Sequence, residues 1–131
     1  MIRKFYKRKS KYGNIETLKD GIKFDSRREA NRYCVLLLML KSGVITDLEL
    51  QVPFVLYPNI YFDTTLKKCT LEKKSGKSGF CLQRGSKYYA DFVYFRNGKQ
   101  IVEDAKGART TVYRKKANQM LKLYGIKILE T

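Results

Sequence analysis

Two runs rich in β-branched and aromatic residues flank Asn97-Gly98 in the stretch from 88 to 107. Asn-Gly is typical of a type I′ turn, because both central residues of that turn need positive φ. The pattern therefore predicts a β-hairpin that places Asp91 and Asp104 on neighbouring antiparallel strands. Each of these carboxylates interrupts or closes an apolar run, where an unpaired charge would be costly.

A helical pattern is predicted from Asp25-Ser26 to about Ser42, with Gly43 as its terminator. Residues 35 to 40 are apolar all round, so we expect this helix to be buried on most sides. Glu29 lies in its first turn. Ser26 and Glu29 have the spacing of a capping box, in which the glutamate bonds back to the N-cap backbone.

A second helix is predicted from about Thr111 to Tyr124, ended by Gly125. Its apolar positions recur at helical spacing and should pack on a sheet: Tyr113, Ala117, Met120, Leu121 and Tyr124. Its other face carries Arg114, Lys115, Asn118 and Lys122. A solvated basic face and a phosphate-binding face both fit this pattern. The helix begins directly after the predicted hairpin strand that leads to Lys106, and this position favours phosphate binding.

Shorter segments predict the remaining strands: a small hairpin of 15–18 and 22–24, strands at 45–50 and 53–57 around Gln51-Val52, and a last strand at 126–129. The order is helix, three strands, helix, strand after the small hairpin. We therefore expect an α/β (α+β) domain with a mixed central sheet flanked by helices. A chain of 131 residues is long enough for one domain with its own core.

The charge of the chain restricts its partners. It carries 28 Lys and Arg against 12 Asp and Glu, a formal charge of +16. Nucleic acid is the leading partner, because neutralising phosphates releases counterions, and an anionic membrane surface is the alternative. No apolar run is long enough to span a bilayer, so we expect a soluble, cytoplasmic protein.

Residue types that are absent exclude several chemistries. With no histidine, Ser-His-Asp and Cys-His catalysis are excluded. Three cysteines without histidine cannot complete a tetrahedral zinc site within one chain. Cys69 and Cys81 would approach one another if the segment between them folds back as a hairpin, but two free thiols are expected in a reducing cytosol.

The domain boundaries follow from composition. Residues 1–12 form a basic arm, and 13–131 form the single domain, in which 64–87 is a basic insertion. The insertion is either a solvated loop or a long β-hairpin that grips DNA. Its sequence lacks the first glycine of a phosphate-binding loop, so we expect no nucleotide cofactor. Candidate phosphate contacts are Arg3, Lys4, Lys7, Arg8, Lys73, Lys74, Lys77, Arg109, Arg114 and Lys115.

The two halves of the predicted hairpin carry a motif. Asp104 and Lys106 project from one face of a strand while Ala105 points away, and Ala90-Asp91 precedes them. This pattern resembles the PD-(D/E)XK nucleases, with Ala90 where that family usually has proline. The resemblance covers most of the chain from Phe24 to Leu129 and is greatest to small phage-encoded endonucleases of the junction-resolving endonuclease I type.

The resemblance implies a restriction-endonuclease-like αβββαβ core and assigns roles to residues. Asp91, Asp104 and the Ala105 carbonyl would bind Mg²⁺ or Mn²⁺, with Glu29 completing or flanking the metal site. Lys106 would position or activate the attacking water. Gln51 is given little weight as a ligand, and Glu103 should face the opposite side as a structural or salt-bridging carboxylate.

The function expected from the resemblance is metal-dependent hydrolysis of DNA by a homodimer, with junction resolution in phage recombination as the preferred substrate and a bacterial host cytoplasm as the location. The alternatives are a non-catalytic DNA-binding protein on a decayed nuclease fold and an RNA-binding protein. Retention of Asp91, Asp104 and Lys106 favours the enzyme.

Overall fold

The computed structural model describes residues 17–106 and 108–131. In chain order its elements are β1 (Thr17–Lys19), β2 (Ile22–Phe24), α1 (Arg27–Lys41), β3 (Thr46–Tyr57), β4 (Ile60–Asp63), β5 (Lys68–Thr70), a 3-10 turn (Gly76–Ser78), β6 (Gly79–Gln83), β7 (Ser86–Arg96), β8 (Lys99–Asp104), α2 (Thr111–Tyr124) and β9 (Leu129–Glu130).

The central sheet has four strands in the order β3-β7-β8-β9. β7 pairs antiparallel with β3 and with β8, whereas β9 runs parallel to β8. The predicted mixed α+β class and mixed central sheet are therefore confirmed. β3 is one continuous strand and not two, and the last strand has two residues instead of the four that 126–129 predicted.

The hairpin of β7 and β8 is confirmed, with Phe92 opposite Glu103 and Arg96 opposite Lys99. Its turn residues Asn97 and Gly98 have φ of 51° and 72°, as a type I′ turn requires. This hairpin lies at the centre of the sheet, so most of its apolar side chains are buried. β1 and β2 form the predicted small hairpin within the described residues.

Both helices lie close to their predicted bounds, and both have a side-chain cap at the N-terminus. The Ser26 hydroxyl accepts a hydrogen bond from the Glu29 amide (3.2 Å), and the Thr110 hydroxyl accepts one from the Tyr113 amide (3.1 Å). α2 ends at Gly125, whose φ of 66° is left-handed. The cluster around Leu36 packs α1 on one side of the sheet, and a second cluster packs α2 on the other.

Two expectations about helix packing are wrong. The apolar run 35–40 is not buried on most sides, because Val35 and Leu38 are exposed and only Leu36 is fully buried. In α2, Leu121 is 52 % exposed. Each helix covers one side of a four-stranded sheet, so a single stripe of each helix is enough to complete the core.

The insertion contains a second sheet with the order β5-β4-β6, which we call the projecting sheet (60–83). Its strands contact mainly one another, and its only buried residues are Asp63 and Gly79. Cys69 is opposite Phe62 on one edge of β4, and Cys81 is opposite Tyr61 on the other. The two thiols are therefore free and separated by β4, so they do not approach one another.

Neither α1 nor α2, the two helices in the described part of the chain, is long and apolar enough to cross a membrane.

Candidate active site

The alternation of side chains in the central sheet breaks at one place. In β3, Leu50 packs in the α1 layer and Val52 in the α2 layer, although they are two residues apart. In β7, Ala90 packs in the α2 layer and Phe92 in the α1 layer. Gln51, between the first pair, has a positive φ of 51°. At Gln51 in β3 and at the neighbouring Asp91 in β7, the side chains that follow therefore point to the opposite side of the sheet from the one that alternation predicts. We call this the exchange of faces.

Asp91 lies at this crossing and receives hydrogen bonds from both sides. Gln51 Nε2 donates to its Oδ1 (3.2 Å), and the Ala105 amide donates to its Oδ2 (2.9 Å). Burial, followed by the nearby charges of Asp104 and Glu29, raises the pKa of Asp91 to about 8. The carboxyl group therefore lies where a negative charge is unfavourable unless a cation is close.

Asp104 follows on β8 and points to the α2 side. It is 2 % exposed, and its Oδ2 accepts a hydrogen bond from the Tyr88 hydroxyl (2.7 Å). Lys106 Nζ lies 3.3 Å from Oδ1, but this oxygen accepts no hydrogen bond from the described residues. Burial and then Asp104 raise the pKa of the Tyr88 phenol, so Tyr88 stays a proton donor.

Lys106 shares the face of Asp104, as the strand alternation predicts. Its Nζ lies 4.6 Å from the ring centroid of Tyr113, which gives a cation–π contact. The Tyr113 hydroxyl donates to Glu130 Oε1 (3.0 Å), and burial followed by this bond raises the pKa of Tyr113. The sequence identified Tyr113 as a core residue only, and no sequence signal pointed to its contact with Lys106.

Glu29 reaches the same region from α1. It is 6 % exposed, and its Oε1 accepts a hydrogen bond from Gln51 Nε2 (3.0 Å). The same amide nitrogen binds Asp91, so Gln51 links the two carboxylates. Burial and then Asp25 raise the pKa of Glu29. The Glu29 amide donates to the Ser26 hydroxyl at the helix cap, while its carboxylate accepts from Gln51 and faces the hairpin. A role for this carboxylate at a metal site stays a prediction.

Glu103 points away from this site, as predicted. It is fully buried on the α1 side, where Arg32 Nη2 (3.1 Å), the Tyr94 hydroxyl (2.7 Å) and the Thr131 hydroxyl (3.0 Å) all donate to it. The free-energy cost of burying this carboxylate is compensated because Glu103 is paired with Arg32 and fully hydrogen-bonded. Arg32 had not been identified from the sequence as its partner.

The described residues contain no group of three or more Cys, Asp or Glu side chains close enough together to hold a metal ion. Asp91 and Asp104 are adjacent, but Glu29 is joined to them through Gln51. Direct binding of one ion would thus use the two aspartates, with Glu29 at the periphery. Ala105 contributes its amide to Asp91, and a role for its carbonyl stays a prediction.

The predicted phosphate contacts fall into three groups. Arg3, Lys4, Lys7 and Arg8 lie outside the described residues. Arg109 binds Glu130 through Nε (2.7 Å) and Nη2 (2.6 Å), and Lys74 binds Asp63 (3.3 Å). The side chains that are exposed and form no ion pair within the described residues are Lys73, Lys77, Arg114 and Lys115.

Comparison with known proteins gives one result. No curated protein and no solved structure matches the chain. One family model, described as "Protein of unknown function (DUF1064)", matches residues 9–128, which include β1 through α2 and the residues Glu29, Asp91, Asp104 and Lys106. The chain therefore belongs to the DUF1064 family.

Proposed function

We propose that the protein is a metal-dependent endonuclease that hydrolyses phosphodiester bonds in DNA. The observation that carries this proposal is the meeting of Asp91, Asp104 and Lys106 at the end of one central hairpin, with Lys106 Nζ 3.3 Å from a buried aspartate oxygen. The acidic side chains can hold a metal ion, and the ammonium group beside them can act on the same phosphate.

The donor set fits a hard divalent cation. Asp104 Oδ1 is buried and lacks a hydrogen-bond donor among the described residues. The pKa of Asp91 is raised by burial and by its carboxylate neighbours, so a cation would relieve the repulsion. Mg²⁺ or Mn²⁺, held by Asp91 and Asp104, would stabilise charge on the phosphate and lower the pKa of a bound water.

The surrounding residues keep these groups in place. Tyr88 holds one oxygen of Asp104, and Gln51 holds Asp91 and Glu29 at a fixed separation. Lys106 is held between Asp104 and the Tyr113 ring, where its ammonium would orient the attacking water and offset negative charge that develops on the phosphate.

The order of elements supports the proposal at the level of the fold. An α1-β3-β7-β8-α2-β9 core with one helix on each side of a mixed sheet is compatible with the αβββαβ core of restriction-endonuclease-like proteins. The exposed, unpaired Arg114 and Lys115 on α2 are suitable for phosphate contact. A branched substrate and a homodimer with two sites belong to the same proposal and follow from the resemblance.

Cleavage of labelled junction, flap and duplex DNA with Mg²⁺, Mn²⁺ and Ca²⁺ tests the function. We expect Mg²⁺- or Mn²⁺-dependent cleavage, and a loss of at least about 100-fold in Asp104→Asn because a metal ligand is weakened. Binding to the same DNA in EDTA should persist in this variant, since lysine and arginine contacts supply it.

Glu49→Gln is the matched control, because Glu49 is an exposed carboxylate on β3 with no hydrogen bond or ion pair among the described residues. It should cleave as the wild-type protein does. Binding of DNA by the wild-type protein without cleavage under any of these cations would contradict the proposal and support a non-catalytic DNA-binding protein.

A further inference from the structure

The projecting sheet carries a charge that the central sheet does not. Residues 60–83 contain five lysines and only two acidic residues, Asp63 and Glu72, and Arg84 follows directly. Lys74 binds both acids, at 3.3 Å and 3.5 Å. The remaining cations therefore have no carboxylate partner within the described part of the chain, and the sheet presents a positive surface.

A cleft in this surface combines cations with an aromatic ring. Lys73, Lys74 and Arg84 line it together with Tyr61, Phe80 and the backbone of the turn at 75–76. Lys73 and Arg84 are exposed, and neither forms an ion pair among the described residues. The cleft thus offers two free cations beside a half-buried tyrosine.

The tyrosine is held in position before any ligand arrives. Asn59 Nδ2 donates a hydrogen bond to the Tyr61 hydroxyl (3.3 Å), while Asn59 Oδ1 accepts one from the Gly85 amide (2.6 Å). Gly85 lies so close to the Tyr57 carbonyl that no Cβ would fit there. The base of the projecting sheet and the ring of Tyr61 are therefore fixed to one another.

We propose that this cleft binds an unpaired segment of DNA, with a base stacked on Tyr61 and neighbouring phosphates bound by Lys73 and Arg84. Duplex DNA has its bases stacked on each other, so an aromatic ring gains a partner only from a single strand. A cationic groove beside a stacking aromatic side chain is the general arrangement for single-strand binding.

The cleft and the candidate active site are joined by β7. Gly85 precedes this strand and Asp91 is five residues into it from Ser86, which corresponds to roughly 17 Å of extended chain. The length of this part of β7 corresponds to a few nucleotides of extended single strand. The inference rests on the proposed function for the choice of DNA, and it would favour substrates with unpaired arms.

Fluorescence anisotropy with a fluorescein-labelled oligothymidine, in EDTA, tests the cleft without requiring cleavage. Tyr61→Leu should weaken binding about 5- to 100-fold, as the loss of one base–aromatic stack does. Tyr61→Phe keeps the ring and should bind within about threefold of the wild-type protein. Lys73→Gln combined with Arg84→Gln should lower the salt slope of log K by about 1.4, or about 0.7 for each lost phosphate contact.

Lys99→Gln is the charge-matched control for the single variants Lys73→Gln and Arg84→Gln, because each removes one positive charge and Lys99 is exposed at the opposite end of the β7–β8 hairpin. It should leave oligothymidine affinity unchanged. Unaltered affinity in Tyr61→Leu, with an unfolding transition like that of the wild-type protein, would overturn the stacking proposal. Equal losses in Lys99→Gln and in the Lys73 and Arg84 variants would do the same, since binding would then follow net charge alone. Because EDTA removes the divalent cations that cleavage would need, failure of the nuclease assay leaves these outcomes interpretable.

Discussion

The central hairpin and the projecting sheet place their charges in opposite ways. In the hairpin, Asp91, Glu103 and Asp104 are half or fully buried among apolar residues. In the projecting sheet, most charges are cations and lie in water. A buried carboxylate must be paired, hydrogen-bonded or protonated, whereas an exposed lysine needs no partner. The first region is thus suited to holding a cation and the second to contacting a polyanion.

Within the hairpin the two sides also differ. Glu103 accepts hydrogen bonds from its counterion Arg32 and from Tyr94 and Thr131. Asp104 also has a counterion, Lys106, but its Oδ1 accepts no hydrogen bond from the described residues. Adjacent positions of one strand therefore hold a fully satisfied carboxylate and an incompletely satisfied one. Structural roles favour the first arrangement, and ligand binding favours the second.

The largest expected effect is on the satisfied carboxylate. Glu103→Ala would leave Arg32 without its anion and the Tyr94 hydroxyl without its acceptor, so we expect a loss of about 3 kcal/mol or more in the free energy of unfolding. Urea unfolding followed by circular dichroism measures it. Glu49→Ala, on the exposed part of β3, should change stability by no more than about 0.5 kcal/mol. A cost for Glu103→Ala below about 1 kcal/mol would contradict this interpretation.

An intermediate effect is expected in the pH dependence of stability, through Asp91 beside the incompletely hydrogen-bonded Asp104. The pKa of Asp91 rises from 3.8 to about 8 on folding, so the native state holds a proton more tightly than the unfolded chain. This contribution is complete below about pH 4 and is lost as pH rises towards 8, with a slope of at most about 1.4 kcal/mol per pH unit. The lowered pKa of Asp63 acts in the opposite direction, so the test is a difference between two proteins.

In EDTA, thermal unfolding of the wild-type protein should lose stability relative to Asp91→Asn as pH rises from 5 to 8. Added Mg²⁺ should stabilise the wild-type protein more at pH 8 than at pH 5, because the deprotonated ligands bind the cation. Parallel pH profiles for the two proteins would mean that Asp91 is not perturbed as described.

The smallest effect on global stability is expected in the projecting sheet. Asp63 Oδ1 accepts hydrogen bonds from the amides of Thr65 (2.8 Å) and Leu66 (2.9 Å). Asp63→Ala should accelerate amide hydrogen exchange in β4–β6 about tenfold or more and change global stability by less than about 1 kcal/mol, because this sheet has almost no buried core. Equal acceleration in β7 and β8 would show that the two sheets unfold together.

Local signals in the sequence predicted the elements that depend on local chemistry. Asn97-Gly98 predicted the central turn and Gly125 predicted the end of α2, because caps and turns are satisfied by residues close in the chain. The part of the candidate site that strand alternation predicted is the position of Asp104 and Lys106 on one face of the sheet.

Features that depend on distant partners were not predictable in the same way. The pairing of β4 with both β5 and β6 brings together residues up to about twenty positions apart, and no pattern in 60–83 specifies it. The exchange of faces at Gln51 contradicts simple alternation, so its hydrogen bonds to Glu29 and Asp91 are not predictable from the strand pattern. The exposure of Val35 and Leu38 follows from how much of α1 the sheet can cover, which periodicity does not reveal.

The exchange of faces at Gln51 makes the hairpin end sensitive to both helices at once. Glu29 comes from the α1 layer, while Lys106 contacts Tyr113 of α2. Repacking α1 would shift Glu29 and leave Lys106 in place, whereas repacking α2 would shift Lys106 and leave Glu29 in place. Substitutions far from the hairpin can therefore change the relative positions of Glu29 and Lys106 without removing either residue.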